Sequence, residues 1–145
     1  MDQIEIFAPA SVANVSCGFD VLGFCLEPIG DIMRVTKTES PGVTIGSVTG
    51  QELPTDPLKN VASVAVLSLL KTFKSSYGFR IDIDKKIKPG SGIGSSAASA
   101  AGAVFAVNQL LGAPYSRREL IKFAIAGEAL ACLLYTSDAA DDPAS

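Results

Sequence analysis

Hydrophobic and polar positions change period several times along the 145 residues, and each change predicts an element. Residues 4–7 alternate apolar and polar before Ala8-Pro9-Ala10-Ser11, which reads as a first strand stopped at the proline. Residues 12–20 are small and polar but flanked by apolar positions, so they form a loop pinned at both ends. Residues 21–26, 31–38 and 43–48 have the β-branched content of successive strands, with Glu27-Pro28-Ile29-Gly30 and Ser40-Pro41-Gly42 as the turns between them. From Val61 the period lengthens: Val61, Val64, Ala65, Leu67, Leu69 and Leu70 cover one broad face of a helix that reaches Lys71. Residues 79–84 alternate strictly and make the clearest strand of the chain. An Ala-rich run to Leu111 predicts a buried helix, because its Ala, Val and Phe leave little polar face. A last helix opens with Ser116 as N-cap and Glu119 in capping-box spacing, and is expected to run to Ala131.

Composition adds limits. With 48% hydrophobic and 19% charged residues the chain is a folded domain, long enough for one core and too short for two. A net charge of -3 and a pI near 4.8 give no global positive field, so neither nucleic acid nor an anionic membrane is an expected partner. An anionic ligand must then be held by local backbone geometry or by a few placed cations. Cys17, Cys25 and Cys132 are odd in number and scattered, without CxxC spacing and with no histidine in the chain. Neither a disulfide framework nor a Cys/His metal site is expected. The start lacks the basic-then-apolar order of a signal peptide, and no uncharged apolar run reaches the roughly 18 residues of a membrane span. The expected location is the cytoplasm.

The chemistry concentrates where the strict strand gives way to Lys85-Lys-Ile-Lys-Pro-Gly-Ser-Gly-Ile-Gly-Ser-Ser and then to the Ala-rich helix. Strand, glycine loop, helix is the order of an anion cradle. Gly90, Gly92 and Gly94 let the backbone approach a ligand, and the helix start offers unpaired N–H groups and the positive end of its dipole to phosphate oxygens. Ser95 and Ser96 add hydroxyls that suit phosphate or Mg²⁺, while Lys85, Lys86 and Lys88 bring positive charge. No Lys follows the last glycine as a P-loop requires, and the GxGxG spacing with no acid about 20 residues on fits a dinucleotide fingerprint poorly. On the glycines alone, a tight strand-to-helix turn with Ser95 as cap is an equal reading.

The eleven residues Pro89, Gly90, Ser91, Gly92, Ile93, Gly94, Ser95, Ser96, Ala97, Ala98 and Ser99 resemble the PxGxGLGSSAA phosphate-binding motif of the GHMP kinases, with Ile93 at the usual Leu position. The stretch from Ala8 to Gly23 resembles the first motif of that superfamily in its homoserine kinase form, PASxANxGxGFDxxG, with Ser16 where many relatives have Gly. The Gly-Glu-His ending of galactokinases and mevalonate kinases is absent. The resemblance covers residues 1–131 and implies an α+β fold. Its expected form is a GHMP kinase N-terminal domain like ribosomal protein S5 domain 2, a mixed, mostly antiparallel sheet with helices on one side.

It further implies ATP and L-homoserine as partners, Mg²⁺ as cofactor, and phosphorylation of the homoserine side-chain hydroxyl on the route to threonine. A homodimer of the full-length enzyme stays open. Asp20 would pair with the substrate ammonium and Asn14 would orient the reacting hydroxyl. Lys86 and the loop 89–99 would hold the nucleotide, Asn60 would sit on its adenine or ribose side, and Ser96 and Glu128 would bind the Mg²⁺. Each has a plainer role open to it: Asp20 as a turn cap, Asn60 as the N-cap of the Val61 helix, Glu128 as an exposed helix carboxylate. The superfamily's C-terminal domain, which closes the site, is almost wholly lacking, so this chain by itself is expected to be inactive. Residues 132–145 change character abruptly, and one coding of Cys132-Leu-Leu-Tyr-Thr-Ser matches a transposase adapter used in sequencing libraries. That tail is expected to be adapter read-through.

Overall fold

The computed structural model describes residues 1–15, 17 and 21–141, with side chains described as far as residue 130. In chain order it has β1 (Gln3–Ala13), β2 (Gly23–Thr38), β3 (Gly42–Thr49), α1 (Val61–Thr72), β4 (Gly78–Asp84), α2 (Ser95–Leu110) and α3 (Arg117–Asp141). The strands form one sheet in the order β1-β2-β4-β3. β1 and β4 flank β2 antiparallel, and β3 joins β4 parallel. α2 packs on β1 and β2, α1 on β3, and α3 on both other helices. The opposite sheet face, with Gln3, Glu5 and Arg34, is exposed. The sheet is therefore mixed and mostly antiparallel, covered on one side, as the sequence predicts.

Two strand boundaries differ from the sequence reading. β1 runs straight past Pro9, because it is an edge strand and its register shifts between Pro9 and Ala10, where a missing N–H disrupts little. Residues 23–26 and 31–38 belong to a single strand, with Val21 and Leu22 lying before it. Pro9 pairs with Gly30 and Ala10 with Leu26, so residues 27–29 bulge out of β2 instead of ending it. A third difference is α3, which continues beyond Ala131 to Asp141. Residues 132–141 contain no proline or glycine to stop it.

The core follows the two periodicities. Met33 and Val35 of β2 and Phe79, Ile81 and Ile83 of β4 are buried at alternate positions against Ala62, Ala65, Val66 and Leu69 of α1 and Ala100, Ala103, Val104 and Val107 of α2. Alanines let the helices come close. At Gly127 the approach is closest: a Cβ there would lie 2.7 Å from the Val61 carbonyl oxygen and 3.0 Å from the Ala65 methyl.

Candidate active site

β4 ends at Asp84, and the chain then makes a loop that turns back into α2. Gly94 is the N-cap, at φ 74° and ψ 36°, with no side chain capping the helix. A Cβ at Gly94 would also collide with the Ser11 hydroxyl. Ser95 is thus not the cap. Its buried hydroxyl donates to the Ile87 carbonyl at 3.1 Å and ties the two ends of the loop together. The first amides of α2 carry no side-chain acceptor, which is the arrangement that binds phosphate oxygens.

Pro89, Gly90, Ser91 and Gly92 are exposed, and nothing lies within 4 Å of where a Cβ of Gly90 or Gly92 would stand. The outer side of the loop is open to a ligand. Its inner side is anchored by Ile93, which packs with the buried cluster of Ala8, Ala10, Ile87 and Ala98. Ser96 and Ala97 are half-buried, and no described residue bonds the Ser96 hydroxyl. Ala98 and Ser99 turn inward beneath the loop, where a side-chain contact with a nucleotide is replaced by packing and by the Ser99 hydroxyl's bond to the Ser95 carbonyl.

Lys85 requires a correction. It does not offer its charge to the loop surface, being 1% exposed, and its ammonium donates to Asp31 Oδ2 at 2.5 Å, to the Ser95 carbonyl at 2.7 Å and to the Ser99 hydroxyl at 3.0 Å. Burial pulls its pKa below the ordinary lysine value, and the attraction of Asp31 and of Glu128 opposes that fall. The other oxygen of Asp31 accepts from the amides of Lys86 at 2.8 Å and Ile87 at 2.9 Å. Lys86 itself is exposed, its ammonium 3.2 Å from Asp84. Asp31 has no part in the sequence reading, although its place two residues before Met33 and four before Val35 puts it on the core face of β2.

The end of β1 lies against this loop, since the Ser11 amide donates to the Ile93 carbonyl at 2.9 Å. The first motif and the glycine loop, far apart in sequence, are therefore neighbours. Asn14 is exposed just past β1 with φ 59°, and the Val15 amide reaches the Leu22 carbonyl at 3.2 Å, pinning the expected loop. Asp20 lies outside the described residues. Asn60 is a buried N-cap: its side-chain oxygen accepts from the Ala62 amide at 3.0 Å and its amide donates to the Pro54 carbonyl at 2.8 Å. It shapes the segment before α1.

Glu128 is not the exposed carboxylate of the plainer reading. Its Oε1 is buried without a hydrogen-bond partner, near enough to Lys85 to influence its titration. A buried carboxylate oxygen without a hydrogen-bond partner has the chemistry of a hard-cation ligand, as a serine hydroxyl does. Among the described residues no three His, Cys, Asp or Glu side chains converge, so most ligands of such an ion would be phosphate oxygens and water. Also among them, no helix is long and apolar enough to cross a membrane.

Known proteins share this fold. Residues 60–145 match the family model of the GHMP kinases N terminal domain. The homoserine kinase of Chloroherpeton thalassium is 46% identical over 144 aligned positions, which take in 91% of this chain and 45% of that protein. That of Xylella fastidiosa strain M12 is 43% identical over 131, taking in 89% and 41%. The chain thus spans a little under half the length of the curated relatives it matches. The crystal structure of homoserine kinase from Cytophaga hutchinsonii superposes with a TM-score of 0.86 at 48% identity, over 91% of this chain and 42% of that one. Methanococcus jannaschii mevalonate kinase shares the fold at TM-score 0.65 and 18% identity, over 88% and 46%. With the family model covering more than half of its residues, and an uncapped helix start behind a glycine loop at its centre, the chain belongs to the GHMP kinases, of which it carries the N-terminal domain.

Proposed function

We propose that the chain is the N-terminal, nucleotide-binding part of a homoserine kinase, which transfers the γ-phosphoryl group of ATP to the side-chain hydroxyl of L-homoserine and forms O-phospho-L-homoserine for threonine synthesis. The observation that carries this is the open glycine loop leading into the uncapped start of α2, with the Ala8 to Gly23 motif bonded to it through Ser11 and Ile93. In the reaction the hydroxyl oxygen forms a bond to the γ-phosphorus as the bond to the bridging oxygen breaks; ADP leaves and the hydroxyl proton is released. Such transfer asks the protein mainly for alignment and for positive potential where charge builds up.

The residues divide that work. Amides of the loop and of the first turn of α2 bind the phosphates, with Lys86 as the adjacent exposed cation. Asn14 orients the hydroxyl of the acceptor and Asp20 pairs with its ammonium group. Asn60 acts on the nucleoside side by holding the segment before α1. The Glu128 carboxylate and the Ser96 hydroxyl would hold a Mg²⁺ ion, which supplies charge neutralisation on the phosphates when bound. The chain contains no histidine, and none is needed where the protein supplies positioning and electrostatics.

Residues 1–131 form this domain, and we read 132–145 as a tail foreign to it. Sequencing the source gene across the codon for Ala131 tests that reading, which a genomic read continuing into Cys132 would end. The function is tested by joining residues 1–131 to the C-terminal half of a natural homoserine kinase and offering ATP, Mg²⁺ and, in turn, homoserine, mevalonate and galactose. Phosphohomoserine is the expected product. Faster phosphorylation of either other alcohol would overturn the assignment.

A further inference from the structure

We infer that the buried Lys85–Asp31 pair is a positioning device for the phosphate loop, a role that rests on the nucleotide-binding reading of that loop. The pair grips both ends of the loop at once. On the entry side, Asp31 Oδ1 accepts the amides of Lys86 and Ile87. On the exit side, the Lys85 ammonium holds the Ser95 carbonyl and, through the Ser99 hydroxyl, the first turn of α2. Asp31 Oδ2 and Lys85 Nζ close the link at 2.5 Å, with the two side chains 0% and 1% exposed. Neither charge reaches the surface, so neither touches a ligand. Their four attachments instead fix where residues 88–94 stand relative to the amides of α2.

Stability alone is a weak reason for such a pair. Two charges removed from water lose hydration that their attraction repays only in part, and apolar replacements of similar size are often neutral or stabilising. What an apolar pair cannot reproduce is direction. The ammonium donates along three separate lines and the carboxylate accepts along three, so the loop ends have one permitted arrangement instead of several. A loop held in its binding conformation before the ligand arrives loses less freedom on binding, and the gain appears as affinity for the part of the ligand that the loop contacts.

The test uses the 145-residue chain and compares it with the double variant Asp31→Asn/Lys85→Met, which keeps both shapes and removes both charges. Thermal unfolding is measured together with calorimetric titration by ATP and by adenosine, which lacks phosphates. The expected result is a midpoint at or above that of the parent, ATP binding about tenfold weaker, and adenosine binding unchanged. ATP binding equal to the parent's would overturn the proposal and leave the nucleotide-binding reading standing. Equal weakening of ATP and adenosine would overturn it as well, since the pair would then support the domain at large. A parent that binds no ATP sinks the nucleotide-binding reading, and the proposal with it. If the double variant does not fold, Ser99→Ala decides in its place, because it removes one of the three donations without stranding a charge. A two- to threefold loss for ATP alone is about what one modest hydrogen bond predicts, and no loss refutes the device.

Discussion

At the scale of single residues, burial separates the groups that face a ligand from those that hold them. Glu128 Oε1 is buried and unbonded, a costly position for a polar oxygen. Glu128→Gln is therefore expected to leave the unfolding midpoint unchanged or slightly higher while making ATP binding nearly independent of Mg²⁺, as titrations with and without the ion would show. Gly94→Val is expected to do harm of a different kind. It forces a β-branched residue to φ 74° and drives its Cβ into Ser11, at a cost of about 1–3 kcal/mol for the backbone alone, and calorimetry should show both a lower midpoint and lost ATP binding. The glycines are legible from sequence because their spacing is a motif. The Lys85–Asp31 pair is legible in principle from period-two counting, since Phe79, Ile81, Ile83 and Lys85 share a face as Asp31, Met33 and Val35 do. A charged residue at an inward position is easily assigned to solvent until its partner, on another strand, is known.

At the scale of elements, short patterns identify the capping box of α3 and misplace the strand breaks. Ser116 and Glu119 make the reciprocal pair expected of a capping box, the Ser116 amide donating to Glu119 at 2.7 Å and the Glu119 amide to the Ser116 hydroxyl at 3.2 Å. Ser116→Ala should cost about 1 kcal/mol in denaturant unfolding. The amide and hydroxyl of Ser116 hold the Glu119 pKa below its ordinary value, so its contribution to stability is complete above the unfolded value of about 4.3 and is lost as pH falls through the lower folded value. Acid titration of Glu119→Gln should accordingly show a shallower loss of stability in that window than the parent. Pro9 and the Glu27 to Gly30 turn mislead because a proline or a turn signal ends a strand only when the neighbouring strand needs the interrupted bond. At an edge with a bulge, β1 and β2 absorb both.

At the scale of the molecule, the chain spans 41–45% of the length of its curated relatives and carries several exposed apolar side chains. Ile121 and Ile125 on α3 and Phe7 and Phe24 at the sheet edge are exposed, a set expected to make the isolated chain prone to self-association, as light scattering against concentration would reveal. On the proposed function, phosphohomoserine formation by the 145 residues alone is expected to be unmeasurable beside that of the chain extended with a natural C-terminal half, if alignment of the acceptor, worth about 7–11 kcal/mol in favourable cases, draws on both halves. Equal rates would refute it.

The backbone bond from the Ser11 amide to the Ile93 carbonyl, between β1 and the glycine loop, has one more use. The amide proton of Ser11 is sequestered only while Ile93 stays in place, so its exchange with deuterium clocks the opening of the loop without any label. Over minutes to hours that proton should wash out faster than those at the centre of the sheet, and saturating ATP should slow it.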